Sequence, residues 1–248
     1  MLEGKRIAVV VPAFDEAALI ARTLRGIPSW IDRVVVVDDA SGDDTAEVAR
    51  SLGDARVLVV RHELNRGVGA AIATGYARAF EDGADVAVVM AGDAQMDPTD
   101  LPRLLAPVIE GRVGYAKGDR LSWPDARRAM PTTRWLGNVV LSWLTRVATG
   151  LDVNDSQCGY TALAADAARR LPLDRLWARY GYPNDLLGML GMYGVDVADV
   201  PVRPVYADER SGVGWRHALF VVPSVLLRAW WRRAASVPRA LPARSSRG

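Results

Sequence analysis

The chain has 248 residues, 50% of them hydrophobic and 24% charged, which excludes disorder over its whole length and fits one compact domain, or one domain with an appendage. The 31 Lys and Arg against 29 Asp and Glu give a net charge of +2, too balanced for a protein that coats nucleic acid, so no nucleic-acid partner is expected. The charge is unevenly placed: residues 210–248 hold eight Arg and no acid, leaving 23 bases against 29 acids, or −6, in residues 1–209.

Lys5 and Arg6 precede an apolar run that stops at Asp15 and Glu16, too short for a signal peptide and of the right length for a buried strand. Similar Val- and Ile-rich runs recur at 34–37, 57–60 and 86–90. Runs that are apolar at every position predict strands covered on both faces, hence a parallel sheet with helices on each side. Helical patterns at 16–25, 44–52 and 67–81 separate them, giving β-α-β-α-β-α-β, an open doubly wound α/β sheet. The middle third is less regular, with a Trp-rich helical stretch over 133–148, an apolar block at 182–194 and a further strand at 195–202. The two longest uncharged candidates for a membrane span, 135–145 and 217–227, are 11 residues each, against the roughly 20 that a spanning helix needs. The single cysteine, Cys158, excludes an intrachain disulfide and a thiol-rich zinc site, and a cytoplasmic location is the default.

Open α/β sheets bind ligands outside the carboxyl ends of their strands, where loops converge and helix N-termini point outward. Here those loops read Pro12-Ala-Phe-Asp-Glu, Asp38-Asp-Ala-Ser-Gly, His62-Glu-Leu-Asn-Arg-Gly and Ala91-Gly-Asp-Ala-Gln-Met-Asp-Pro. A row of acids on one rim repels itself unless a cation or hydrogen-bond donors balance it, so the rim suits a divalent metal and a polyhydroxylated ligand.

These motifs, in this order and with Asn65-Arg-Gly-Val-Gly and Asp155-Ser-Gln-Cys-Gly-Tyr, resemble the family 2 inverting glycosyltransferases of GT-A fold, within them the polyprenyl-phosphate mannosyl- and glucosyltransferases. The resemblance implies an open, mostly parallel, Rossmann-like sheet, and a nucleoside-diphosphate sugar held by Pro12, Ala13, Asp15, Glu16, Asp38, Asp39, Asn65, Gly67 and Gly69. It also implies Mg2+ or Mn2+ at Asp93 and Gln95. Ala91 stands where the family places the first acid of its Asp-x-Asp pair, which leaves open a protein that binds nucleotide sugar with weak turnover. Arg120, Arg134 and Asn138 fall at positions that line the acceptor phosphate. Asp155 matches the acceptor-site acid, which orients or deprotonates the nucleophile, and Asp185 is a second candidate base. Arg210-Ser-Gly-Val-Gly resembles the mobile basic loop that closes on the donor diphosphate. His62, His217 and Cys158 read as structural, and Asp97 before Pro98 as a helix cap.

The expected organisation is a GT-A domain over 1–209 and a basic, Trp-containing, membrane-proximal tail over 210–248. In that tail Arg228, Trp230, Trp231, Arg232 and Arg233 follow an apolar stretch, a pattern suited to an anionic lipid headgroup layer on the cytoplasmic face. The expected activity is transfer of a hexose to a polyprenyl phosphate. The alternative acceptor is a soluble glycan or small molecule, and the motifs do not decide between UDP and GDP donors.

Overall fold

The computed structural model describes residues 1–205 and 222–235. Arg210 and His217 lie outside the described residues, as does most of the basic tail. Strands β1 (Ile7–Ala13), β2 (Arg33–Asp38), β3 (Val57–Arg61), β4 (Val86–Val89), β5 (Tyr115–Asp119), β6 (Thr161–Ala164) and β7 (Val197–Pro201) form one seven-stranded sheet in the order β3-β2-β1-β4-β6-β5-β7. Only β6 runs against its neighbours, β4 and β5; the other pairs are parallel. The helices are α1 (Ile20–Gly26), α2 (Thr45–Ser51), α3 (Val68–Glu81), α4 (Leu101–Ile109), α5 (Ala126–Ala129), α6 (Thr132–Thr149), α7 (Ala165–Ala168), α8 (Tyr182–Met192) and α9 (Val222–Ala235).

The sheet is covered on both faces, as its all-apolar strands require. Side chains alternate along β1, so Ile7, Val9 and Val11 pack with Leu24, Leu101, Leu104 and Leu105 in one layer, while Ala8 and Val10 pack with Ile72, Tyr76, Leu187 and Leu190 in the other. All of β1 is buried, which puts the loop after it at the centre of the sheet's carboxyl edge.

Three elements depart from the sequence pattern. Helix α1 begins at Ile20, not near residue 16, because the Glu16 and Ala17 N–H groups donate to Thr45 Oγ1 at 2.8 Å and to the Asp43 carboxylate at 3.0 Å instead of opening a helix. Strands β5 and β6 were not expected; β5 carries Lys117 and Gly118, which interrupt any apolar run, yet Lys117 is completely buried. Among the described residues no helix is long and apolar enough to cross a membrane.

Candidate active site

The carboxyl ends of β1, β2 and β4 and the start of α3 enclose a cavity of about 400 Å³. Pro12, Ala13, Glu16, Asp39, Asn65, Gly67 and Asp93 line it, and Arg179 and Tyr180 close it from the far side. Asp15, Asp38, Gly69 and Gln95 do not face into it. A larger groove of about 480 Å³ on the outer face of α3 has Asp174 as its one acid and lies away from the strand ends.

The residues behind the cavity hold its loops in shape. The Asp15 N–H donates to Ser41 Oγ at 3.0 Å, and the Asp15 carboxylate accepts the Gly42 N–H at 2.7 Å. Asp38 accepts the Ser41 N–H at 3.0 Å and its hydroxyl, and lies 3.3 Å from Arg61 Nε. Asp15, Ala40 and Ala94, in the loops after β1, β2 and β4, have φ of 55°, 62° and 57°. Left-handed backbone without glycine costs about 1–2 kcal/mol per residue, and here it is concentrated where the loops converge.

Asp39 is 3% exposed and fully engaged: it accepts from His62 Nδ1 at 2.7 Å, from the Arg66 N–H at 2.9 Å and from the Gly67 N–H at 2.6 Å. A carboxylate only accepts, so Nδ1 carries the proton and His62 Nε2 is left to meet Thr74 Oγ1 at 3.0 Å. His62 is a structural bridge from β3 to α3. The glycines after it answer a crossing chain: a Cβ at Gly67, where φ is +98°, would lie 2.5 Å from the Ala178 carbonyl oxygen, and one at Gly69 would lie 2.0 Å from that of Trp177. Segment 177–180 thus runs over the start of α3 before its last two residues reach the cavity.

Asp93 is half-buried on the rim and accepts the Gln95 N–H at 3.0 Å. Among the described residues no cluster of three His, Cys, Asp or Glu side chains could cage a metal. A hard cation that takes most of its oxygens from a diphosphate and water needs few protein ligands, so one rim carboxylate fits Mg2+ or Mn2+, with Ala91 supplying none. Asp97 caps the turn Pro98–Asp100 by accepting the Thr99 N–H at 2.9 Å.

Tyr182 is partly buried between the start of α3 and the loop before β6: a Cβ at Gly69 would lie 2.9 Å from its Cβ and one at Gly159 would lie 3.0 Å from its hydroxyl, and a second polar centre lies near that loop. Arg120 donates from Nε and Nη2 to the two oxygens of Asp155 at 2.7 and 3.0 Å, and Asp155 also accepts the Gln157 N–H at 3.2 Å. Burial alone would raise the Asp155 carboxyl, but the Arg120 guanidinium outweighs it and holds the group below its usual range. Arg134 is exposed on the first turn of α6, and Asn138, one turn on, is 9% exposed beside Met130. Asp185 is completely buried on α8 and accepts from Arg232 Nη1 at 2.6 Å and from the Trp177 N–H at 2.9 Å. The Cys158 thiol is buried and pushed up by that burial, which leaves it unreactive.

Residues 8–163 match the model of glycosyl transferase family 2. The chain belongs to this family. It is 29% identical over 222 residues to the UDP-N-acetylglucosamine--dolichyl-phosphate N-acetylglucosaminyltransferase of Methanococcus voltae, covering 84% of this chain and 88% of that protein. It is 30% identical over 207 residues to the undecaprenyl-phosphate mannosyltransferase of Micrococcus luteus, covering 79% and 82%. The fold is that of glucosyl-3-phosphoglycerate synthase from Mycobacterium tuberculosis, solved with Mn2+, UDP-glucose and glycerol 3-phosphate, at a TM-score of 0.69 and 22% identity over 96% of this chain and 82% of that one.

In this family 2 glycosyltransferase, sequence reasoning missed Arg179 and Tyr180 in the cavity wall and Lys117 beneath the second centre. The two glycines at 67 and 69 were the available signal, since paired glycines at a helix start mark a close backbone approach; they do not say which segment approaches. For Lys117 the sequence offers no signal, because a lysine is rarely placed in a buried strand.

Proposed function

We propose that this glycosyltransferase transfers a hexose from a nucleoside-diphosphate sugar to a polyprenyl phosphate, with inversion, at a lipid surface. The observation that carries the reading is a strand-end cavity with Asp93 on its rim, joined through Tyr182, which packs on both Gly69 and Gly159, to the loop whose Asp155 fixes Arg120. The names of the Methanococcus and Micrococcus relatives support a polyprenyl-phosphate acceptor.

Asn65, Gly67 and Glu16 border the nucleotide, while Asp39 acts through backbone, fixing the 66–67 turn that shapes the floor. The N-terminus of α3 directs its positive end toward the diphosphate. Asp93, its carboxylate braced by the Gln95 N–H, would hold Mg2+ or Mn2+, which would supply charge neutralisation on the departing diphosphate. Arg120 and Arg134 receive the acceptor phosphate, since a planar guanidinium meets phosphate oxygens two at a time. Asp155, with both oxygens occupied and its pKa lowered, orients Arg120; a lipid phosphate is already anionic near neutral pH and needs little help from a base. Alignment of two bound reactants and fixed charge then supply most of the rate. The outer stripe of α6, Leu136, Val140, Trp143 and Val147, and Leu227, Trp230 and Trp231 of α9 are exposed and rest on the lipid surface beside Arg127, Arg128 and Arg134.

A soluble phosphorylated acceptor is the second reading, favoured by the fold shared with glucosyl-3-phosphoglycerate synthase. The test pairs labelled UDP-glucose, UDP-N-acetylglucosamine and GDP-mannose with a short polyprenyl phosphate or with phosphoglyceric acid, in Mg2+ or Mn2+. Transfer to the lipid is expected, with Asp93→Ala slower by at least about 100-fold. Transfer to phosphoglyceric acid alone would establish the second reading, and undiminished transfer by Asp93→Ala would remove the metal assignment.

A further inference from the structure

Helix α9 reaches the donor cavity through one buried carboxylate. One oxygen of Asp185 lies 2.6 Å from Arg232 Nη1 and 3.3 Å from Arg228 Nε, and the other accepts the Trp177 N–H at 2.9 Å. Arg228 and Arg232 stand one turn apart on the same helix face. Between them Ala229 sits against Gly188 of α8, where an added Cβ would lie 2.9 Å from the alanine methyl, so the two helices cross almost backbone to backbone. Arg228 Nη2 also donates to the Arg175 carbonyl at 3.0 Å, two residues before Trp177.

Segment 177–180 is therefore pinned at its start by Asp185 and Arg228, and in its middle by the Ala70 N–H, which donates to the Ala178 carbonyl at 3.1 Å. Its last two residues are the Arg179 and Tyr180 that wall the cavity, and Arg179 Nη1 lies 3.5 Å from Asn65 Oδ1. Asp185 itself does not face the cavity, and both its oxygens are engaged.

We propose that Asp185, clamped by Arg228 and Arg232, is a positioning residue that sets the 177–180 wall, so that docking of α9 on the body is a condition of tight donor binding. The inference rests on the donor-site reading above. It makes α9 a coupling element as well as a surface: its outer residues face away from the domain while its inner arginines hold the nucleotide site.

The experiment uses the full chain and calorimetric titration of UDP, and separately of GDP, each with MnCl2, together with tryptic cleavage after Arg175 and Arg179. Asp185→Asn and the double variant Arg228→Gln/Arg232→Gln are expected to bind the accepted nucleotide about tenfold more weakly and to be cut faster at those sites. Combining all three changes should weaken binding no further than either alone, because they disable one device. Arg232→Lys, which keeps the charge, should recover most of the affinity, a rescue that a general loss of stability would not predict selectively for nucleotide. Arg233→Ala, which removes a donor to the Val147 carbonyl at 2.8 Å and leaves Asp185 paired, should bind as the wild type does. Folded Asp185 and arginine variants with wild-type nucleotide affinity and unchanged cleavage would overturn the proposal. A wild-type chain that binds neither nucleotide with MnCl2 would take the donor-site reading down, and the proposal with it.

Discussion

Two fully buried carboxylates, Asp155 and Asp185, are each held by arginine, and what lies behind the arginine separates their roles. Arg120 follows directly on β5, so Asp155 is tied to a residue the sheet already places, and the pair is a fixed local feature. Arg228 and Arg232 arrive on α9 from the far end of the chain, so the same chemistry at Asp185 joins distant parts. Removing one partner of a buried pair leaves an uncompensated charge, so Asp155→Asn is expected to cost about 3 kcal/mol at pH 7. Burial pushes the Asp155 carboxyl up, but Arg120 and Lys117 pull it further down, so its folded pKa lies below its unfolded one. The ionised carboxylate therefore stabilises the fold above about pH 4, and that contribution is lost as the pH falls through the lower folded value. Urea unfolding of wild type and variant should differ at pH 7, begin to draw together as the pH falls below about 4, and meet only below the lower folded value; a gap that stays constant to low pH would mean the ion pair is not its source.

At the scale of elements, the start of α3 and the middle of α6 show how the same residue type answers different demands. A methyl at Gly69 would meet the Trp177 carbonyl oxygen at 2.0 Å and Tyr182 Cβ at 2.9 Å, whereas one at Gly137 meets nothing within 4 Å. Gly69→Ala should destabilise by about 1–3 kcal/mol through overpacking, and Gly137→Ala on exposed helix should stabilise by about 0.5–1 kcal/mol, both read from urea midpoints. Equal effects would show that the crossing of segment 177–180 is loose. The same crossing marks the limit of what the sequence discloses. Strands β1, β2 and β4 were legible because burial on both faces forces apolar residues at nearly every position, and the half-buried edge strand β3 by its apolar run at 57–60; their loops carried Asp39, Asn65 and Asp93 to the cavity in chain order. Which of Asp38 and Asp39 faces inward was not legible, since neighbouring residues at a strand end point opposite ways and both are acids. Arg179 was hidden for a different reason: it reaches Asn65 across 114 residues of sequence, a contact that exists only once Asp185 of the following helix α8 has fixed the segment that begins at Trp177. Short β5, with Lys117 and Gly118, carries too little pattern to announce itself.

Over the whole molecule, α9, the described part of the basic C-terminal stretch, packs on α6 and α8 of the acidic body. The inner side of α9 is spent on the body: Val225 and Ala229 are buried, Arg232 reaches Asp185 and Arg233 reaches the Val147 carbonyl. What remains outward is Leu227, Trp230 and Trp231, 56%, 47% and 62% exposed, and the α6 stripe that repeats at helical spacing through Leu136, Val140, Trp143 and Val147. Exposed rings beside guanidinium groups favour an anionic headgroup layer, each arginine near the surface contributing about 1 kcal/mol and the apolar side chains adding a term that salt does not screen. The chain should therefore co-sediment with vesicles containing phosphatidylglycerol and much less with neutral ones, and the difference should shrink at high salt. Trp230→Ala/Trp231→Ala should weaken sedimentation at every salt concentration, while nucleotide affinity stays near wild type because both indoles are exposed and the Asp185 clamp is made by Arg228 and Arg232. Loss of nucleotide binding in that variant would place the two tryptophans in the latch, and vesicle binding unchanged by their removal would move the lipid surface to another face.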